Sequence, residues 1–139
     1  MRQHSIKTTY LIHSKLARST DVTENISENN IFLLVPESEA KYPYAVIKRT
    51  GIQSERGNKD FAGDIVFFTI SVYSDKYEVA ADIADAMRFA LEGWIFEDDT
   101  IRLENITITS ATEDWVADAY EQSISFRAEV LNPTDSDED

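Results

Sequence analysis

Cysteine is absent from this 139-residue sequence, which also contains only two histidines, four glycines and three prolines. Without cysteine the chain forms neither disulfides nor thiolate metal sites, which fits synthesis inside a cell. Both histidines lie within the first thirteen residues, so a Ser-His-Asp triad is not expected. The nearest glycine-rich stretch, Gly51 to Gly57, lacks the Lys-Ser/Thr ending of a phosphate-binding loop. These scarcities argue against the common catalytic motifs.

Long apolar runs are missing as well. No run approaches the roughly 20 residues that cross a bilayer, and the first residues, MRQHSIKTT, lack the apolar stretch of a signal peptide. We therefore expect no membrane partner. The length predicts a single domain with one hydrophobic core.

Positive charge is scarce, because 13 lysines and arginines face 26 aspartates and glutamates, giving a net charge of −13. A nucleic acid would be repelled by the average surface, so no sequence-specific nucleic-acid binding is expected. Part of the acidity lies in the terminal PTDSDED. The sequence thus predicts a folded domain over residues 1–131 and a disordered, solubilising acidic tail over residues 132–139, with an interaction tail as the alternative.

Two segments have the periodicity of helices. In residues 5–18, Ile6, Tyr10, His13 and Ala17 share one face, with Leu16 beside them, and we expect this face to be buried. The second helix is predicted to begin after Asp75, which acts as its N-cap and has with Glu78 the spacing of a capping box, and to end at Gly93. Its apolar face consists of Val79, Ile83, Ala86, Met87, Ala90 and Leu91.

Five segments read as strands, and their residues alternate or run apolar in the way strands do. They are IFLLVP (31–36), YAVIKRT (44–50), DIVFFTISVYS (64–74), TIRLENITIT (100–109) and AYEQSISFRAEVL (119–131). A change of apolar parity predicts a bulge near Glu104–Asn105. Polar loops are expected at 19–30, at 51–62 and around ATEDWVAD. The order predicts an α+β domain: a mostly antiparallel sheet of four or five strands with two helices packed on one face.

A basic cluster stands out in this acidic chain, because four of its thirteen basic residues fall within twelve positions. They are Lys48, Arg49, Arg56 and Lys59. Close by, Ile65 and Phe67 occupy the strand face opposite the predicted core. Since a soluble monomer rarely exposes such a pair, we expect the long loop or another subunit to cover it.

Acidic clusters offer the remaining candidate chemistry. Glu97, Asp98 and Asp99 are adjacent oxygen donors, but they lack the DxDxDG spacing of a calcium loop. A solvated acidic loop explains them more simply. The sequence therefore nominates no catalytic, metal-binding or cofactor-binding residue, and no cofactor.

Residues 42–93 resemble a known family, the small tail-completion or tail-terminator (minor tail) proteins of long-tailed bacteriophages and prophages. The resemblance rests on the strand YPYAVIKRTG, the polar loop after it, the strand DIVFFTISVYSD and the helix KYEVAADIADAMRFALEG. The helix at 5–18 and the final strand also fit. The pattern is one of residue types and contains no invariant catalytic group.

The resemblance implies a virion structural protein and not an enzyme. Such proteins form a ring, commonly a hexamer, which caps the tail tube and joins it to the head-completion or connector protein. The expected location is the virion tail, after synthesis in the bacterial host cytoplasm. The basic cluster, Ile65 and Phe67 would then lie at contacts between subunits or with the tube.

Three alternatives stay open at this point. A head–tail adaptor of the same neck region has the same sequence features. A ferredoxin-like module that binds a small ligand or protein would have a preformed apolar pocket and no ring. An enzyme using acidic loop residues with a divalent ion would be stabilised thermally by that ion.

Overall fold

The computed structural model describes residues 4–55 and 63–133. The α-helices are α1 (Thr8–Arg18), α2 (Thr20–Thr23) and α3 (Tyr77–Leu91), and 3-10 turns cover Ser5–Lys7 and Glu28–Asn30. The strands are β1 (Ile31–Leu33), β2 (Tyr44–Ser54), β3 (Asp64–Ser74), β4 (Phe96–Glu97), β5 (Arg102–Val116) and β6 (Ala119–Leu131). No helix in these ranges has the length and apolarity that crossing a bilayer requires.

The predicted fold class is wrong. Within the described residues, six strands form one mixed sheet in the order β1-β2-β3-β6-β5-β4, curled into a half-barrel with three helices. β1 runs parallel to β2, and the other neighbours are antiparallel. The prediction of four or five strands and two helices failed because the additional elements, α2 and β4, are only four and two residues long.

Strand β3 occupies the middle of the sheet and supplies the centre of the core. Its alternate residues, Val66, Phe68, Ile70 and Val72, are fully buried, as predicted. In β6 the buried positions include Ile124, Phe126, Ala128 and Val130, which confirms the predicted wet and dry faces of this strand. The period of two therefore located the core side of the two central strands correctly.

Helix α3 buries the predicted apolar side against this core, including Ile83, Met87 and Leu91. The predicted capping box at Asp75 is wrong, because the N-cap residue is Lys76 and its side chain makes no capping hydrogen bond. Gly93, at φ 83°, adopts the left-handed conformation that ends helices, which confirms the predicted stop.

Helix α1 buries a different face from the predicted one. Thr8, Ile12 and Leu16 are buried, whereas Ile6 and Tyr10 are exposed, Tyr10 by 69%. The predicted face begins with Ile6 and Tyr10 and the buried face consists of Thr8, Ile12 and Leu16, and both have helical spacing, so periodicity alone did not distinguish them. The chain after α1 adds core residues, since Val22 and Ile26 are buried within the stretch that the sequence predicted to be a polar loop.

Strand β5 contains the predicted bulge, because its register with β6 shifts between Glu104 and Thr107 and Asn105 has φ 53°. The loop predicted around ATEDWVAD is wrong. Strand β5 continues to Val116, and a two-residue turn of Ala117 and Asp118 leads directly into β6. The β5–β6 hairpin is consequently long, with pairing that continues to Val116 and Ala119.

The hairpin turn yields a stability prediction. Ala117 has φ 52° and Asp118 has φ 64°, and a two-residue turn with both φ values positive favours Asn-Gly. A residue with a Cβ atom costs roughly 1–2 kcal/mol in this conformation. We expect Ala117→Asn with Asp118→Gly to raise the free energy of unfolding, measured in urea, by about 1 kcal/mol. The control Thr109→Asn, placed within β5, should give no gain, and an unchanged midpoint for the turn variant would refute the assignment.

Candidate assembly surfaces

The outer face of the sheet carries three of the residues singled out in the sequence. Lys48 of β2 pairs with Thr69, and the neighbouring β3 positions on the same face are Phe67 and Ile65. Across the next strand, Phe67 lies opposite Arg127. Alternation along β3 places these side chains on the side away from the core.

The cover over Phe67 comes in part from its own sheet. Phe67 pairs with Gly51, and a Cβ atom at Gly51 would lie 3.8 Å from Cδ2 of the Phe67 ring. A methyl group at Gly51 would therefore make an ordinary van der Waals contact with the ring. Ile65 pairs with Gln53 on one side and Glu129 on the other, and both Ile65 and Phe67 remain half-buried.

The structure separates the two adjacent cations of the basic cluster. Lys48 is exposed on the outer face, while Arg49 belongs to the opposite side of the strand. There the Arg49 guanidinium donates a hydrogen bond of 2.9 Å from Nη1 to the Ile6 carbonyl oxygen, which ties β2 to the turn before α1. The other two predicted members, Arg56 and Lys59, lie outside the described residues.

Hydroxyl groups occupy the centre of the outer face. Thr69 and Ser125 share a hydrogen bond of 2.8 Å, and Ser71 and Ser123 share one of 3.1 Å. The Tyr73 hydroxyl donates to Glu121 Oε2 at 2.7 Å. Burial, followed by this hydrogen bond and the charge of Glu121, raises the pKa of Tyr73 to about 12, so the hydroxyl remains a donor at neutral pH. These polar rows connect β3 to β6.

One edge of the sheet exposes apolar side chains. Leu34 follows β1 with φ 72°, an uncommon conformation for leucine, and its amide still donates to the Ile47 carbonyl at 2.8 Å. Leu34 and Val35 are 63% and 65% exposed. We call this pair the apolar edge.

The opposite side of the sheet has a free strand edge. Strand β4 pairs only with Arg102 and Leu103 of β5, so the rest of β5 lacks an outer partner strand among the described residues. We call residues 107–116 the β5 edge. A shallow groove of about 220 Å³ runs beside it. Its apolar lining residues are Ala81 and Ala84 of α3, Ile108 and Ala111 of β5 and Ile124 of β6. Its polar and charged lining residues are Tyr77, Asp85, Arg88, Glu113 and Gln122.

The acidic loop forms no metal site in the described residues. Asp98 Oδ1 accepts hydrogen bonds from the backbone N–H groups of Thr100 and Ile101 and from the Thr100 hydroxyl. The hydrogen bond from the Thr100 N–H is the largest cause that lowers the pKa of Asp98. Within residues 4–55 and 63–133, no three His, Cys, Asp or Glu side chains converge in a way that would hold an ion. Asp98 therefore closes a turn.

Sequence reasoning missed both edges. IFLLVP was interpreted as a buried strand, yet β1 ends at Leu33 and the run continues into the exposed apolar edge. The proline at the end of this apolar run, Pro36, was the sequence feature that pointed to an edge strand, because proline is common at sheet edges. No local sequence pattern predicted the β5 edge, because this edge exists only where the short β4 leaves β5 without a second partner strand.

Comparisons with known proteins identify relatives of this chain. The family model described as Tail completion protein gp17 matches residues 11–131. A chain of the solved structure "Virion of native gene transfer agent (GTA) particle" is 22% identical, with a TM-score of 0.69, over 86% of this chain and 90% of that one. A second solved chain is 14% identical, with a TM-score of 0.59, over 97% and 99% of the two chains. At these identities the two structures show a shared fold. No curated protein sequence matches.

Proposed function

This chain belongs to the tail completion protein gp17 family, and from that premise we propose that it caps a phage-type tail tube and joins it to the head connector as a ring. Membership confirms the resemblance that residues 42–93 predict and supports a structural role in a tail. The likeness in fold to a chain of a gene transfer agent virion supports the same role.

The two free edges of the sheet are the observation that carries the ring proposal. The apolar edge and the β5 edge lie at opposite ends of the strand order. A two-fold contact between two copies would therefore not join the apolar edge of one copy to the β5 edge of the other. A second copy can add its apolar edge to the β5 edge of the first, as strands do in β-augmentation. Repetition of this head-to-tail contact closes a ring if the rotation per copy permits it.

Both edges also present apolar side chains. The groove beside the β5 edge is lined by alanines of α3 and by Ala111, and these leave room for larger apolar side chains. Leu34 and Val35 are the apolar side chains that the other edge presents to solvent. Their burial in the groove would remove apolar surface from water on both copies.

The remaining elements of the proposal come from the family. The ring is a hexamer, its partners are the tail tube protein and the head-completion or connector protein, and it has no enzymatic activity or cofactor. It works in the virion tail after synthesis in the host cytoplasm. The domain spans residues 1–131, with an acidic tail over 132–139 of which residues 134–139 lie outside the described residues.

The outer face is the proposed contact with the tube or a neighbouring subunit. Lys48 carries a positive charge there, beside the half-buried Ile65 and Phe67. Complementary charge guides encounter and register more than it adds affinity. Arg49 is proposed to contribute by holding the turn before α1, and Arg56 and Lys59 keep their proposed contact role.

Capping of tail tubes tests this function. Tail tube protein from the same genome, polymerised with this chain present, is expected to give shorter tubes that carry a ring at one end in negative-stain electron micrographs. Lys48→Glu should lower the fraction of capped tubes several-fold, because a like charge would replace the attraction at the contact. Lys76→Glu, at an exposed position before α3, is the matched control and should cap normally. Tubes of unchanged length, without end rings at any ratio of the two proteins, would exclude the capping role.

A further inference from the structure

Three aromatic rings and a carboxylate form an open box near the tip of the β5–β6 hairpin, at the end of the β5 edge that lies far from β4. Trp115 and Tyr120 are direct cross-strand partners, and their ring centroids are 4.9 Å apart at an interplanar angle of 72°. The Tyr77 ring, from the first residue of α3, lies 5.6 Å from Tyr120 at 82°. Two rings therefore stand nearly perpendicular to the Tyr120 ring.

The carboxylate in this box is Glu113, two residues before Trp115 on the same side of β5. Its Oε2 atom accepts hydrogen bonds from the Tyr77 hydroxyl at 2.8 Å and from the Gln122 amide at 2.9 Å. The hydrogen bond from Gln122, followed by that from Tyr77, lowers the pKa of Glu113, which keeps the group ionised at neutral pH. Both hydrogen bonds reach the same oxygen, Oε2, and no hydrogen bond to Oε1 forms within residues 4–55 and 63–133.

The box is accessible and its charge is unbalanced. Trp115 is 56% exposed and Tyr77 is exposed as well, although aromatic rings in a purely structural cluster usually bury their faces. The ion pairs formed within residues 4–55 and 63–133 are Arg88–Glu92, Arg102–Glu97, Arg102–Glu104 and Arg127–Glu129, and none of them includes Glu113. A depression of about 240 Å³ opens between the rings and the carboxylate.

We propose that Tyr77, Glu113, Trp115 and Tyr120 form a binding site for an arginine side chain of another protein. Aromatic faces attract cations, most strongly tryptophan, and a planar guanidinium stacks on a ring while it donates to a carboxylate. The box favours arginine over lysine, because a planar guanidinium can stack on a flat ring and also donate to the carboxylate. This site goes beyond the tube-capping role, and because Glu113 and Trp115 belong to the β5 edge, arginine binding is measured on single copies of the chain.

The test uses the intact chain and Nα-acetyl-arginine amide as the probe, with Nα-acetyl-citrulline amide as its uncharged isostere. The two tryptophan indole N–H signals are followed by NMR, with Trp94 as an internal reference and Trp115→Phe to assign the second signal. We expect a saturable shift of the Trp115 signal, with a Kd on the order of 1–10 mM, and at least tenfold weaker binding of the citrulline compound.

Two variants separate recognition from simple contact. Glu113→Gln should weaken arginine binding about tenfold, since it removes the charge while leaving the rings in place. Asp82→Asn removes an exposed carboxylate of α3 that does not line the depression, and it should leave the affinity unchanged. Equal shifts with the arginine and citrulline compounds, or no saturable shift with either, would overturn the proposal. Neither result would bear on tube capping, which is measured separately.

Discussion

Phe126→Ala is expected to remove about 3–5 kcal/mol from the free energy of unfolding. Phe126 and Phe68 are cross-strand partners in the two central strands, and their rings stack with centroids 5.2 Å apart at 15°. Both side chains are fully buried. Truncation would leave a cavity beneath α3 and one unpaired face of the Phe68 ring, and backbone pairing on both sides of β6 limits collapse of the strand.

The measurement is equilibrium unfolding in urea, followed by circular dichroism. A domain of this size has a total stability of roughly 5–15 kcal/mol, so the variant should be close to unfolded at elevated temperature. Phe126→Leu should lose less, because it keeps most of the volume. Phe89→Ala is the matched control: Phe89 is 78% exposed on α3, and its truncation should change stability by no more than about 0.5 kcal/mol. Equal losses for the two alanine variants would show that the core is not where these strands place it.

The parts of the fold that the sequence predicted are those governed by local alternation. Val66 to Val72 and Ile124 to Val130 each repeat every second residue, so their buried face followed from the period of a strand. Gly93 ended α3 for an equally local reason, because its φ of 83° suits glycine. The bulge at Glu104 followed from a visible change of parity.

The parts that failed depend on pairings between distant residues. The parallel pairing of β1 with β2 and the two-residue β4 set both the number of strands and the edges of the sheet, and neither carries a local signal. The face of α1 was also decided elsewhere, since Ile12 and Leu16 are buried by the sheet and by α3.

The candidate site likewise contains features that local alternation predicted and features that depend on strand pairing. The outward position of Lys48, Ile65 and Phe67 followed from alternation along their strands, and the structure places them on one face. The basic cluster did not remain together, because Arg49 is one residue further along β2 and therefore points to the other side. The apolar edge and the β5 edge could be identified only from the strand order.

Cross-linking Val35 of one copy to Ala111 of the next is expected to produce closed rings, which is the second large effect. Val35 lies on the apolar edge and Ala111 lines the groove beside the β5 edge, so the proposed head-to-tail contact would bring them together. The chain contains no cysteine, and cysteines introduced at these two positions are therefore the only reactive thiols. Both positions tolerate cysteine because each side chain is exposed and makes no hydrogen bond.

The single-cysteine variants Val35→Cys and Ala111→Cys serve as controls. Each carries one thiol, so cross-linking can produce at most a dimer, and only through a two-fold contact. In a head-to-tail arrangement neither variant should cross-link alone, whereas an equal mixture of the two should give heterodimers. A direct disulfide requires a narrow range of Cα–Cα distances, and the strand register between two copies does not fix that distance. We therefore use a flexible bismaleimide, which spans a wider range of distances between the two thiols.

The most direct test is the mass of the product formed when the Val35→Cys/Ala111→Cys double variant is treated with the bismaleimide at high protein concentration. The account predicts a ladder of covalent species that stops at one largest mass, corresponding to six copies, and that the mass does not increase with longer reaction. A product confined to the monomer mass, or single-cysteine variants that dimerise as readily as the double variant reacts, would contradict the head-to-tail ring.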